Sequence, residues 1–486
     1  MSDRVRSSLW SPAVIAAGLF VAGLATRLPL GTENLWAHDS VLYERAVERF
    51  DPLDQRPQAP GYLYYILLLR ALVAVTGDAN RAMTLVSGFA GAAAIALLYL
   101  FVRRLYDERT GLFAAAFLFT SVTFWAYGGL AYPYTLLGLL TITCAWLFWR
   151  ATVSSRAGPA LVVASAAWGV AIGFRSDLAI FLAPLWLLAA TGAGIAWSAA
   201  SALAVAAFVA AWIGLSAAAG NGLAAFLEAN RAQSEFIERR YSVFGGGLAN
   251  LQRNAYELSR FVARALYALA PLVGALLLSR DALRAELRDR RRVIFVALWT
   301  LAPLPFYLLI HVGEYGYVFT MLPGLCVVAA RGAIALVKAI HMPRLLPWVV
   351  GLAAAANAAI FLFTPTPLSR DDLARRDHGI SEKVAYVRQR IPPAGAVIVT
   401  AFDQLLIERY LGSGYALLAY DPDAEPRASR SLAAGTRLVV WDDVLRTVGP
   451  EWQPAVLEHG ARLRIARLER ASVLEVRDGL ELGLAP

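Results

Sequence analysis

The chain has 486 residues, 58% of them hydrophobic and 17% charged, with a mean hydropathy of +0.53. That excludes a soluble globular protein and indicates a polytopic membrane protein, since each helical crossing of a bilayer takes roughly 20 mostly apolar residues. The formal net charge of +9 rests almost wholly on arginines in short segments between hydrophobic runs, where membrane topology places them, and this argues against nucleic acid as a partner. Cys144 and Cys326, the only cysteines, lie inside apolar runs, so neither a disulfide framework nor a cysteine metal site is expected.

In chain order, MSDRVRSSLWSPAVIAAGLFVAGLATRLPL places Arg4 and Arg6 ahead of an apolar run too long for a signal-peptide core and without a convincing cleavage site. It predicts an uncleaved first span with a cytoplasmic N-terminus. Hydropathy offers twelve hydrophobic segments in all, at 9–28, 60–76, 82–102, 111–127, 133–149, 159–174, 178–193, 195–217, 261–279, 292–312, 317–337 and 345–364. With twelve crossings the basic loops at 103–111, 150–158, 280–292 and 338–344 would all lie outside, against the tendency of Lys and Arg to stay cytoplasmic. Removing one early segment repairs all four. The segment to remove is 60–76, which is short, opens with Pro60-Gly61 and carries Tyr62, Tyr64, Tyr65 and Arg70, as suits a helix lying in the interface. The expected fold is a polytopic α-helical membrane domain over 1–364, with about eleven spans plus juxtamembrane helices, followed by a small extracytoplasmic α/β domain over 365–486. In that domain SRDDLARRDHG reads as a linker and ISEKVAYVRQRI and DQLLIERYLG as helices, while AGAVIVTAF, YALLAY, RLVVWDD and ASVLEV read as strands. It lacks a glycine fingerprint for a nucleotide, and its expected part is packing or guiding an acceptor.

This topology gathers five polar patches on the outer face: His38-Asp39 with the following helix, YGGLAYPY at 127–134, GFRSD at 173–177, a long loop at 218–260, and HVGEYGY at 311–317. Ionisable residues at a membrane boundary are costly unless they face water or a site, so the gathering marks a candidate site. Asp39 heads an amphipathic helix with Leu42, Ala46, Val47 and Phe50 at helical spacing. It reads either as an N-cap or as a carboxylate that accepts a proton from a hydroxyl, and the amide donors that keep it ionised also weaken it as a base. Arg175 beside Asp177 reads as a local ion pair or as a phosphate clamp with paired donors. Arg231, Arg239, Arg240 and Arg253 read mostly as a solvated helix face, with one or two available to an anionic head group, and Gly245-Gly246-Gly247 would let the stretch move over a site. His311, Glu314 and Tyr317 flank a short outer turn, where a lone histidine at a helix end reads as structural.

The order of these pieces resembles the GT-C glycosyltransferases, integral-membrane enzymes that take a sugar from a polyprenyl-phosphate carrier. It is most similar to the family-39 branch, which includes protein O-mannosyltransferases and lipid A aminoarabinose transferases. LWAHDSVLYERA at 35–46 is similar to the family's acidic motif after the first span, QAPGYLYYILLLRAL at 58–72 to its Pro-Pro-Leu-Tyr-Tyr helix, and GYVFTMLPGL at 316–325 to its late RYLLP-like motif. The resemblance implies inverting transfer on the outer face of the cytoplasmic membrane, with Asp39 as the catalytic carboxylate. It implies that Arg175, Arg239, Arg240 and Tyr317 hold the donor phosphate and that His38, Tyr43, Pro60, Tyr64, Tyr132 and Glu314 line the cavity. The implied partners are a polyprenyl-phosphate-linked sugar, an acceptor hydroxyl on protein, lipid or glycan, and membrane lipids. Two departures stand out. GGLAYPYTL offers Tyr132 and Pro133 where many relatives carry a second carboxylate, which disfavours a divalent metal cofactor, and Gly316 replaces the arginine before the tyrosine of the late motif. Two other readings stay open on the sequence alone. A transporter or flippase would place charged or broken-helix features near the midplane, often in repeated halves, and a scaffold would keep this fold without catalysis.

Overall fold

The computed structural model describes residues 11–400, 404–412 and 414–419 and, beyond them, the backbone of five strands at 428–432, 437–441, 461–468, 471–476 and 480–484. Two compact units emerge, one made of 1–32 with 42–373 and the other of 33–41 with 374–486.

The first unit is helical. In order it contains α1 (Pro12–Arg27), most of α2 (His38–Glu48), α3 (Leu63–Thr76), α4 (Ala79–Leu105), α5 (Glu108–Thr120), α6 (Val122–Tyr127), α7 (Tyr134–Val153), α8 (Ala157–Phe174), α9 (Leu178–Ala190) and α10 (Ile195–Ala219). Then follow α11 (Leu223–Arg240), α12 (Val243–Leu266), α13 (Ala270–Leu278), α14 (Arg280–Glu286), α15 (Arg290–Leu301), α16 (Leu304–Leu309), α17 (Leu322–Ala339) and α18 (Leu346–Phe363). Nine helical stretches among the described residues are long and apolar enough to cross a membrane, and the chain is a multi-pass membrane protein. They coincide with nine of the eleven expected spans. Of the other two, 111–127 is divided at Ser121 into α5 and α6, and α9 is a 13-residue helix with Pro184 inside it. The segment set aside as interfacial is α3, 14 residues or about 21 Å long, well short of a hydrocarbon core of roughly 30 Å.

The break at Ser121 frees carbonyls at the end of α5, and a buried arginine meets them. Arg27 of α1 donates from Nη2 to the Phe119 carbonyl at 2.9 Å, and its guanidinium lies 5.0 to 6.0 Å from the ring centroids of Phe119, Phe124 and Trp125. Gly128 leaves the space, since a Cβ there would come within 2.7 Å of the Arg27 chain.

The second unit takes in Glu33–Val41 and the chain from Ala374 onward. SRDDLARRDHG is helical rather than a linker: it forms the start of α19 (Arg370–Arg390), where Ser369 Oγ accepts from the Asp372 amide at 3.3 Å and Asp371 and Asp372 occupy the first turn, where the helix dipole favours negative charge. After it come β1 (Ala396–Thr400), α20 (Gln404–Leu411), β2 (Ala416–Ala419), β3 (Ala428–Leu432), β4 (Arg437–Trp441), β5 (Ala461–Leu468), β6 (Ala471–Val476) and β7 (Leu480–Leu484). Five strands form one sheet in the order β2-β1-β4-β6-β5, with β1 parallel to β2 and β4 and β6 antiparallel to β4 and β5, while β3 and β7 form an antiparallel pair. The four expected strands are β1, β2, β4 and β6. Of the remaining three, β3 and β5 carry arginines and β7 a glutamate and a glycine, and β5 is an edge strand, where charge guards against unwanted pairing and hides the apolar pattern.

Candidate active site

In the first unit an open cavity of about 520 Å³ is lined by residues from five parts of the chain. Ala59, Pro60 and Tyr62 lead into α3, Arg175, Ser176 and Asp177 form the turn between α8 and α9, and Asn230, Gln233, Ser234, Ile237 and Glu238 come from α11. Ser242 and Phe244 belong to the next turn, and Phe306, Ile310, His311 and Tyr317 complete the wall.

Local sequence explains how these meet. Gly173 lets the ring of Tyr64 lie where its Cβ would be, and Tyr64 also packs edge-on to Phe174 at 5.7 Å, so the tyrosine-rich start of α3 docks on the end of α8 beside Arg175. Ser242 and Asn254 donate to the carbonyls of Leu309 and Leu308, each at 3.1 Å, which satisfies the end of α16 and ties the α11–α12 turn to it. The three glycines there serve close packing and a bend: Gly245 lies on the Glu238 carbonyl, Gly246 on the Asn250 side chain, and Gly247 at φ +60° bends α12.

Arg175 is 9% exposed. Its Nε donates to both Asp177 oxygens at 2.9 and 3.1 Å, and its guanidinium lies 4.4 Å from the Tyr317 ring centroid and 5.2 Å from that of Tyr134. Its two terminal nitrogens make no hydrogen bond among the described residues. Burial opposes its charge, but the Asp177 carboxylate and the hydroxyls of Tyr62, Tyr317 and Tyr134 outweigh that, so the guanidinium is held well above its ordinary value. Tyr317 is fixed through its carbonyl, which accepts from Tyr307 at 2.7 Å and from Thr320 at 3.1 Å. His311 packs against Tyr241 at 4.6 Å and Tyr317 at 5.5 Å. Burial, then the charges of Arg175 and Arg253, push its pKa down to about 4.

Of the residues singled out in the sequence, Pro60, Arg175 and Tyr317 share this cavity and Tyr64 braces it. Tyr43 is buried against Tyr62 at 5.4 Å and Tyr65 at 5.3 Å. Tyr132 is buried against Tyr127 and Tyr134, and Glu314 accepts from the Tyr127 hydroxyl at 2.9 Å, so a carboxylate from a distant turn joins the tyrosines of YGGLAYPY. Arg239 and Arg240 do not line the cavity: Arg239 is exposed and donates to the Glu235 carbonyl at 3.3 Å, and Arg240 lies 5.8 Å from the Phe236 ring. The lining face of α11 runs Asn230, Gln233, Ser234, Ile237, Glu238, which is helical spacing for a single stripe and places the neighbouring arginines elsewhere. That spacing was the available signal for these residues, and attention to charge passed over it.

In the second unit, His38 and Asp39 lie in the first turn of α2, whose cap position is Ala37, with its carbonyl accepting from Ser40 at 3.0 Å. The segment before it is anchored by Asp377 of α19, whose carboxylate accepts from the amides of Glu33 at 2.7 Å and Asn34 at 2.9 Å and from Asn34 Nδ2 at 2.9 Å. Leu35 donates its amide to the Tyr410 hydroxyl at 2.7 Å, and the Arg376 guanidinium lies 4.3 Å from the Trp36 ring. Among the described residues no group of three or more His, Cys, Asp or Glu side chains is arranged to hold a metal ion.

Residues 58–218 match the family model described as dolichyl-phosphate-mannose-protein mannosyltransferase. In fold the chain is similar to ArnT from Cupriavidus metallidurans in the apo state, with 13% identity, a TM-score of 0.56, and 96% of this chain and 98% of that one covered. ArnT bound to undecaprenyl phosphate matches with the same identity and TM-score over 95% and 97% of the two chains. An Archaeoglobus fulgidus oligosaccharyltransferase, in complex with Zn and sulfate, matches at 15% identity and a TM-score of 0.55 over 92% of this chain and 69% of that one. No curated protein sequence matches the chain. The chain therefore has the GT-C fold of the protein mannosyltransferase and ArnT type, as its motifs led one to expect.

Proposed function

We propose that the protein is a membrane glycosyltransferase that moves a sugar from a polyprenyl-phosphate-linked donor to an acceptor hydroxyl. The transfer takes place on the outer face of the cytoplasmic membrane, the N-terminus lies inside, and residues 365–486 form an extracytoplasmic domain. The observation that carries this reading is Arg175: a cavity-lining, largely buried guanidinium whose Nε edge is occupied by Asp177 and whose terminal nitrogens are left to a ligand. A planar fork of this kind suits a phosphate. ArnT, of the same fold, has been seen with undecaprenyl phosphate. The polar stripe of α11 offers amide and hydroxyl partners to a sugar, and Phe244, Phe306 and Ile310 offer apolar surface to the first isoprene units.

In the reaction the acceptor oxygen bonds to the anomeric carbon from the side opposite the phosphate as the carbon–oxygen bond to phosphate breaks, which inverts that centre. The electron pair of the broken bond stays on the phosphate, where Arg175 meets the growing charge, and the acceptor proton passes to Asp39. The test is to purify the wild type and Asp39→Asn in mild detergent, identify their bound lipids by mass spectrometry, and measure transfer from the lipid found. We expect a polyprenyl-phosphate sugar in both and transfer about 10²-fold or more slower in the variant, the range for loss of a general base. Bulk phospholipid alone in both preparations would overturn the donor class, and full activity of Asp39→Asn would overturn the role of that residue.

A further inference from the structure

His311 lines the same cavity and is unaccounted for by its packing. Its ring is wedged between Tyr241 and Tyr317, and Nδ1 is enclosed with no hydrogen-bond partner among the described residues. Nε2 likewise has no partner among them, but it is not enclosed. Gly313 keeps that edge clear, since a Cβ there would stand 2.8 Å from Nε2 and 2.8 Å from Cε1. An enclosed N–H without an acceptor forfeits a hydrogen bond it had in water, and orphaned donors are rarer than orphaned acceptors. The proton is therefore assigned to Nε2, on the open edge. Arg175 and His311 both pack on the ring of Tyr317, at 4.4 and 5.5 Å from its centroid.

We propose that His311 is a further donor-binding residue, a neutral imidazole whose Nε2–H donates to a phosphate oxygen of the lipid carrier held by Arg175. This rests on the reading of the cavity as the site of a polyprenyl phosphate. The groups facing His311 explain why a histidine serves here. Tyr241 and Tyr317 give it uncharged aromatic walls, and burial between them, then the nearby Arg175 and Arg253, keep it uncharged, so it supplies a directed donor without adding a third cation to repel the guanidinium. Glycine at 313 is the matching requirement on the backbone.

The test uses the full-length protein in detergent, with undecaprenyl phosphate as the probe and phosphatidylglycerol as the control lipid. His311→Phe keeps a ring between the two tyrosines but loses the donor, and it should weaken undecaprenyl phosphate binding about 10- to 100-fold, as for a hydrogen bond to a charged group. His311→Gln restores an N–H near the position of Nε2 and should bind within about 5-fold of wild type. Gly313→Ala should weaken binding by crowding the Nε2 edge with a methyl while the imidazole itself is kept. If His311→Phe binds as tightly as a wild type that prefers undecaprenyl phosphate to phosphatidylglycerol, the assignment of His311 fails while the donor reading stands. If the wild type shows no such preference, both fall together. Should the variants misfold, imidazole nitrogen resonances of ¹⁵N-histidine-labelled wild type give the answer, with only five histidines to assign: the Nε2–H resonance of His311 shifts on adding undecaprenyl phosphate, and its failure to move would overturn the proposal.

Discussion

Asp177→Asn separates a clamp from a merely structural ion pair, because the two roles predict opposite signs. The pair is largely buried, with side-chain exposures of 10% and 12%, and its charge centres lie about 4 Å apart, so the gross attraction at an effective dielectric of 20 is about 4 kcal/mol. Breaking a buried pair costs about 3–5 kcal/mol, but asparagine keeps an acceptor for Nε, and the rings of Tyr317 and Tyr134 keep facing the cation. A loss of roughly 2–3 kcal/mol in stability is expected, visible as a lower thermal midpoint in detergent. Affinity for undecaprenyl phosphate should move the other way. A phosphate on the terminal nitrogens would sit about 6 Å from the carboxylate, and relieving that repulsion is worth about 1–3 kcal/mol, or about 5- to 100-fold tighter binding. Isothermal calorimetry on wild type, Asp177→Asn and Arg175→Gln would read all three. If Asp177→Asn binds the lipid no better than wild type while melting lower, Arg175 is the counter-ion of Asp177 and nothing more, and the phosphate is held elsewhere.

Gly316→Ala should place a Cβ in the ring of Tyr134 and push that ring from its place under Arg175; we expect a loss of about 1–3 kcal/mol from overpacking and several-fold weaker undecaprenyl phosphate binding, and binding equal to wild type would show that Tyr134 is no part of the seat. Asp377→Ala removes the acceptor of two backbone amides and the Asn34 side chain; by hydrogen-exchange mass spectrometry, peptides covering 33–41 should exchange about 10²-fold faster while α4 is unchanged. Unaltered exchange there would mean that Tyr410, Ser381 and the packing of Arg376 on Trp36 hold the segment without Asp377.

The membrane helices were legible because hydrophobic length is a local property, and the lipid requirement for internally satisfied backbone leaves few alternatives. The parity of the basic loops set 60–76 apart, and α3 has only 14 residues, but α9, counted among the crossings, has only 13, so length does not separate the two. Less legible were features set by partners far away in sequence. In the sequence Arg27 only lies at the end of the first hydrophobic run, until Phe119 and Gly128 come to meet it, and the first half of α19 reads as a linker because its polarity hides a helix whose apolar side is needed only once packed. At the candidate site the motifs located the tyrosine helix and the late turn. The stripe on α11 and the exposed edge of His311 depend on rotation of a helix and on one missing Cβ, which no count of charges reveals.

The departure at Gly316 shows how such a site tolerates a lost motif residue. Any side chain at 316 meets the ring of Tyr134, so an arginine there is excluded by packing. The same ring turns its face to Arg175, which reaches Tyr317 from the α8–α9 turn instead. The cation is thus delivered next to the same tyrosine from another element, and it arrives with its own counter-ion. With Asp177 and Glu238 in the wall against one buried arginine, and with His311 uncharged, the cavity has no surplus of positive charge with which to attract a phosphate at long range. Recognition must then come from the short-range geometry of the guanidinium fork and the imidazole donor, and lysine, a point charge without that planar fork, is a poor substitute for Arg175.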